Sequence, residues 1–305
     1  MDNWIFDMCK CKTYTLNDLI LPGTHNSCCS TIDTGKYLEK DMICCTNIWP
    51  ISNIIKNWSI NQKLDIYTQL NIGVRLFDID ISFYNDEFYT SHTFIIDRLD
   101  NLLKQLIKFN EISGDLYVLK IIHRFNITNE KIKKLENIFN ETFKDKIIFP
   151  NEYADPLNIN INIFKDNSKN MLIYMDNTNH NFYQIKYNMF SDWPNKQKKE
   201  ECYQYNKLKL YNDFKDLRHG HNHLFIDLNW ILTPTYKNVI LNILCNCYCN
   251  SITLEKWIYE LNNKLEDFID ENINSLYIIN SLSIDFITID IVENIININK
   301  VILNK

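Results

Sequence analysis

Apolar residues along the chain follow two periods. Seven runs of strand length, "LNDLILPG", "GVRLFDIDI", "DLYVLKIIH", "KDKIIFP", "NMLIYMD", "HLFIDLN" and "SLSIDFITID", are rich in Ile, Leu, Val and Phe and predict β-strands. Between them, "IIDRLDNLLKQLIKF", "NEKIKKLENIFNETF" and "ITLEKWIYELNNKLEDFIDENI" set apolar residues at helical spacing over charged faces, which predicts amphipathic helices. Strand and helix alternating this way imply a parallel α/β sheet. Without a G-x-G-x-x-G turn they favour a barrel over a dinucleotide fold. No linker or repeat interrupts the pattern, so one domain over residues 1–305 is expected.

Glycine sharpens this picture. Average usage would put about 20 glycines in a chain of this length, and there are five. The glycine in "LILPGTHNS" therefore answers a geometric demand. Gly23 behind Pro22 predicts a strand ending in a tight turn that presents Thr24, His25 and Asn26. The C-terminal ends of strands are where α/β enzymes keep their chemistry.

In "GVRLFDIDI", Asp78 and Asp80 stand two apart in an apolar strand. Their carboxylates share one face while Phe77, Ile79 and Ile81 take the other. Two buried like charges are costly unless a cation lies between them. A hard divalent ion, with Asn26 adding a neutral oxygen, is one solution; pairing with Arg75 or a lysine is the other. Twelve residues on, "FYTSHTF" brings His92 to another strand end. Two histidines flanking a carboxylate pair make an acid and base set that works near neutral pH.

The remaining composition mostly excludes. A net charge of −6 argues against nucleic acid as a partner. The N-terminal "MDNWIFDMCKCK" lacks a basic segment followed by a long apolar core and no run of about 18 apolar residues is present, so neither a signal peptide nor a transmembrane segment is expected and the location is read as cytoplasmic. The even enrichment in Asn, Ile, Lys and Tyr says little about function, since 13% aromatic residues are too many for a disordered chain. Ten cysteines in adjacent or alternate pairs read as buried free thiols, with a soft-metal site at Cys245, Cys247 and Cys249 as the alternative. His219, His221 and His223 read as a polar loop, with zinc as the alternative. In "NIWPISNIIKNW", Trp49 and Trp58 lie on a segment that either packs as a helix or dips into a lipid interface.

"LILPGTHNS", "IYTQLNIGVRLFDIDI", "SHTF", "LYVLKIIH", "LNWILTPTY" and "SIDFITIDIVENIININK" occur in an order and at a spacing that resemble the phosphatidylinositol-specific phospholipase C X-domain, over about residues 4 to 303. The resemblance implies an irregular TIM-type (β/α)8 barrel acting on phospholipid at a membrane surface, with peripheral association. It matches His25 to a general base for the inositol 2-hydroxyl, His92 to the general acid for the leaving diacylglycerol oxygen, and Asp285 to the carboxylate that orients the first histidine. Asn26, Asp78 and Asp80 match the calcium-dependent branch, where the metal-independent branch has an arginine in place of Asp80. A further calcium ligand, a glutamate, falls at or near Ile122, which cannot coordinate; His123 stands beside it. The alternatives are a glycerophosphodiesterase or sphingomyelinase D-like barrel, which also uses two histidines and an acid pair, and a catalytically weak lipid-binding barrel.

Overall fold

A computed structural model describes residues 3–32, 51–178, 181–235, 237–239 and 253–304. The strands are β1 (Leu21–Thr24), β2 (Leu76–Tyr84), β3 (Glu87–His92), β4 (Phe94–Arg98), β5 (Tyr117–His123), β6 (Ile147–Ile148), β7 (Met171–Met175), β8 (Tyr183–Gln184), β9 (Met189–Asp192), β10 (Phe225–Trp230) and β11 (Ser281–Ile284). They form one sheet whose main path runs β6-β7-β5-β2-β1-β11-β10-β9, all pairings parallel. β8 adds in parallel to β7, while β3 and β4 extend β2 as an antiparallel hairpin. Such a sheet curls around a lumen. Among the described residues no ladder joins β9 to β7 or β8, and the helical turn Ile185–Asn188 spans that opening. The expected (β/α)8 barrel is thus present in irregular, incompletely hydrogen-bonded form.

The elements form where local chemistry favours them. Helix α1 (Trp4–Met8) opens the chain, α2 is Ile51–Ser59, α3 is Ile66–Ile72, α4 is Leu99–Ile112 and α5 is Asn129–Phe143. The last two fall on predicted amphipathic runs, except that the start of the first run, residues 95–98, belongs to β4, and Leu102, Leu106, Leu135 and Phe139 bury their apolar stripes in the same core as Phe77, Ile79 and Ile81. Asp65 caps α3, and Thr128, Thr253 and Thr288 cap α5 and the helices Leu254–Asn262 and Ile289–Leu303, each side chain accepting a first-turn N–H. "SLSIDFITID" divides, because Thr288 caps a helix and only Ser281–Ile284 remains strand.

Two sequence expectations change. Gly23 lies inside β1 rather than in the turn after it. A Cβ there would meet Ser283 Oγ at 3.0 Å and the Leu282 carbonyl oxygen at 3.2 Å, so close approach of β11 is what requires glycine. The left-handed conformation belongs to Asn26, at φ 45°, a region asparagine tolerates better than most residues.

Arg75 does not face the acid pair. Its Nε donates to Asp115 Oδ2 at 2.9 Å and its Nη1 donates to the Leu70 and Val74 carbonyls, with both charged side chains fully buried. Asp115 also accepts the backbone N–H groups of Ile5 and Phe6, tying α1 to the barrel. Removing one partner of a buried pair leaves an uncompensated charge, so Arg75→Met should destabilise the fold by about 3–5 kcal/mol in urea or thermal melting. A loss below about 1 kcal/mol would show that Asp115 is satisfied without Arg75.

Candidate active site

The C-terminal ends of β1, β2, β5 and β11 bring together residues more than two hundred positions apart in sequence. Parallel pairing sets Gly23 beside Leu76 on one side and beside Ser283 on the other. His25 follows β1 and Asp285 follows β11, so the register alone makes them neighbours. His25 Nδ1 lies 2.8 Å from Asp285 Oδ1. Burial opposes charge on this imidazole, but Asp285 prevails and holds the His25 pKa above the ordinary histidine value. With Nδ1–H donated to the carboxylate, Nε2 carries the free lone pair.

Asn61 and Gln62 brace this dyad. Asn61 Nδ2 donates to Asp285 Oδ1 at 3.1 Å, and Gln62 Nε2 donates to the carbonyls of both His25 and Ile284 at 2.9 Å. Gln69, on α3, donates to the Ser27 carbonyl and accepts from the Thr24 hydroxyl, fixing the turn on its other flank. The sequence reading missed these amides because uncharged polar residues before and within a helix resemble solvent-facing ones until the partner strands are known.

His92 ends β3 and faces His25, with ring centroids 6.4 Å apart at 73°. The Asn26 amide lies between them, with Nδ2 3.0 Å from His25 Nε2 and 3.4 Å from His92 Nε2. His92 Nδ1 stands 3.8 Å from Asp80 Oδ2, an electrostatic contact rather than a hydrogen bond. The structure therefore gathers His25, Asn26, His92, Asp80 and Asp285 in one site, with Asp78 next to them on the strand.

The acid pair carries protein cations that the sequence reading did not single out. Asp78 Oδ2 is 3.5 Å from Lys120 Nζ, and Asp80 Oδ2 accepts from Arg124 Nε at 2.7 Å. Lys120 is inward-facing on β5, opposite Asp78 in register, and Arg124 lies just beyond the strand. Burial opposes the Lys120 charge, yet Asp78 and Asp227 together raise its pKa. Beneath it, Lys120 Nζ donates to Ser191 Oγ, which donates to Asp227 Oδ2, while Ser281 and Ser283 donate to Asp227 Oδ1. Burial raises the Asp78 pKa. It acts the same way on Asp80, but there His92 and Arg124 outweigh it and the pKa falls.

This donor set does not suit a divalent ion as it stands. Asp78 Oδ1 and Asp80 Oδ1 are buried without partners and could accept a cation. The other oxygen of each carboxylate, however, already holds an ammonium or guanidinium, and buried Asp227 shares Lys120 through Ser191, so three carboxylates face two cations before any ion enters. A divalent ion would leave this buried cluster with an excess of positive charge. Asn26 turns its Nδ2 toward the imidazoles, and among the described residues no group of three or more His, Cys, Asp or Glu side chains is gathered to hold a metal. His123 cannot help, since it follows inward-facing Ile122 and pairs in register with core-facing Ile81.

Other candidates lie elsewhere. His219, His221 and His223 are exposed on the segment entering β10, at the end of the barrel opposite the site. Trp58 is buried edge to face against Trp257, with ring centroids 5.8 Å apart, and so packs rather than facing lipid. Trp49 and the Cys245, Cys247 and Cys249 run lie outside the described residues. The described cysteines Cys9, Cys11, Cys28, Cys29 and Cys202 are free thiols.

No family model matches the chain. A PI-PLC X-box domain-containing protein of Dictyostelium discoideum is 28% identical over 121 residues, which is 39% of this chain, and the chain spans only 16% of that relative's length. Among solved structures, the phosphatidylinositol-specific phospholipase C of Listeria monocytogenes superposes with a TM-score of 0.68 at 15% identity, covering 97% of this chain and 98% of that one. A double mutant of the Staphylococcus aureus enzyme superposes with a TM-score of 0.64 at 16% identity, covering 98% and 96%. Over nearly its whole length, the chain has the fold of the phosphatidylinositol-specific phospholipases C.

Proposed function

We propose that the chain is a phosphodiesterase that cleaves phosphatidylinositol-type lipids to diacylglycerol and an inositol phosphate. The observation that carries this reading is the His25–Asp285 dyad facing His92 at the C-terminal end of a barrel with this fold. His25 Nε2 takes the proton of the inositol 2-hydroxyl, whose oxygen attacks the phosphorus held on the neighbouring ring oxygen. His92 gives a proton to the departing diacylglycerol oxygen, so the first product is a five-membered cyclic phosphate that water then opens. Asp285 stabilises the imidazolium that forms on His25. The buried, unpartnered oxygens of Asp78 and Asp80 are acceptors suited to the hydroxyls of a polyol headgroup.

His25→Ala and His92→Ala should each lower turnover of phosphatidylinositol by at least about 100-fold, with unchanged circular dichroism. Near-normal turnover in either folded variant removes that histidine from the mechanism. Product analysis separates the competing barrels: a cyclic inositol phosphate supports this reading, whereas cleavage only of glycerophosphodiesters or sphingomyelin replaces it.

The pH dependence follows from the raised His25 pKa. A base works only when neutral, so the acidic limb of kcat/KM should lie above the ordinary histidine value of about 6.5 and activity should fall as pH drops through it. Asp285→Asn removes the attraction that favours imidazolium, so this limb should move to lower pH while the maximal rate falls. A limb that stays in place would separate Asp285 from the ionisation of His25.

Peripheral association with lipid belongs to the same proposal. Among the described residues no helix is long and apolar enough to cross a membrane. Trp193, directly after β9 at the site end of the barrel, is 54% exposed, and indole is favoured at lipid interfaces. Trp193→Ala should weaken binding to phosphatidylinositol vesicles while sparing hydrolysis of a soluble inositol phosphodiester. Unchanged sedimentation with vesicles would exclude Trp193 as a contact.

A further inference from the structure

The acid pair and its partners point to a substitution of charge within the site. In the resemblance, Asp78, Asp80, Asn26 and a glutamate near Ile122 form a calcium shell. In the structure Ile122 lies opposite Asp80 in register and contributes no charge. Two residues later the backbone N–H of Arg124 donates to the Ile81 carbonyl at 2.9 Å, anchoring the residue. Its guanidinium then returns to Asp80 at 2.7 Å. At this strand end the position facing Asp80 is apolar, and a cation two residues on meets the same carboxylate.

We infer that Arg124 and Lys120 together take the place of a divalent ion, so that the site holds no calcium and works without metal. Asp80 is 3% exposed, whereas the Arg124 side chain is 53% exposed, so the guanidinium spans from the buried carboxylate to the mouth of the barrel. A fixed positive charge there opposes the negative charge that develops on the phosphoryl oxygens. Lys120 serves the deeper carboxylate and is held by the Ser191 and Asp227 relay below it. The arrangement differs from an arginine built into β2 itself, because here the cation arrives from the neighbouring strand and Asp80 is kept.

The inference rests on the phosphodiesterase reading for its consequence, but its central measurement needs no substrate. Calcium is titrated into the full chain and into Arg124→Gln by calorimetry, with melting temperature confirming that both are folded. The wild-type chain should bind no calcium up to millimolar concentration. Arg124→Gln, which takes the guanidinium from Asp80 and leaves it facing His92 at 3.8 Å, should gain at least tenfold in calcium affinity. Micromolar binding by the wild-type chain, or no gain in the variant, overturns the inference. In the hydrolysis arm, wild-type turnover of phosphatidylinositol should be equal in chelator and in calcium, and Arg124→Gln should lose at least tenfold with partial restoration by calcium. Turnover that disappears in chelator and returns with calcium also overturns it. A chain that binds no calcium and hydrolyses no phosphatidylinositol removes the phosphodiesterase reading and with it metal-free catalysis, leaving only the charge balance.

Discussion

Two carboxylates two residues apart on a strand must enter the same side of a sheet, and in this chain that side is a lumen. Asp78 and Asp80 cannot both remain ionised there without partners, because desolvation and mutual repulsion act in the same direction. The surrounding architecture meets that demand. β5 pairs beside β2 in a register that sets Lys120 opposite Asp78, and the residues following β5 return Arg124 to Asp80. The hairpin of β3 and β4 folds back over β2 and brings His92 to the rim. Even the far side of the lumen participates, since Ser191, Ser281, Ser283 and Asp227 continue the hydrogen bonding below Lys120.

This polar interior explains why β1 contains a glycine. β11 carries serines at inward positions to reach Asp227, and Ser283 stands directly beside Gly23. Any side chain at position 23 would compete with that hydroxyl for space. Glycine scarcity in the sequence thus signalled a real constraint, but its form was misread: the pattern Pro-Gly suggested a turn, whereas close packing between parallel strands required it. The turn itself uses Asn26, whose side chain also works in the site.

Much of the fold was legible because it is local. Helices α4 and α5 combine an apolar stripe with charged faces, and Thr128 caps α5 where the second pattern begins. Strands β2, β5, β7 and β10 were visible as apolar runs. β9 and the β3–β4 hairpin were less so, being short or built on an antiparallel return that leaves no helix-strand alternation. His25 and His92 could be picked out as histidines at strand ends beside an acid pair, whereas Asp285 followed from resemblance alone, since nothing local in "SIDF" predicts a partner 260 residues away. The cations were hidden for a physical reason. A lysine inside "YVLKIIH" and an arginine just after it look like ordinary strand-end charges, and only the β2–β5 register shows which carboxylates they meet. Arg75, adjacent to the acid strand in sequence, was the natural candidate and instead faces Asp115.

The site divides into two halves with different supports. Asp285, Asn61 and Gln62 hold His25 from β11 and the segment before α3, while Asp80 and Arg124 stand behind His92 from β2 and β5. The Asn26 amide touches both imidazoles from the turn after β1. That amide Nδ2 lies 3.0 Å from Nε2 and 3.4 Å from Nδ1 of the same His25 ring. A donor in line with the Nε2 lone pair would stand much farther from Nδ1 than from Nε2, so the amide rests against the imidazole without occupying the lone pair that makes it a base. Its Nδ2 also reaches Asn61 Oδ1 at 3.3 Å, which joins the turn after β1 to the amide that braces Asp285. Asn26 therefore belongs to the support of the dyad, and the positive charge of the site comes from Lys120 on β5 and Arg124 just beyond it.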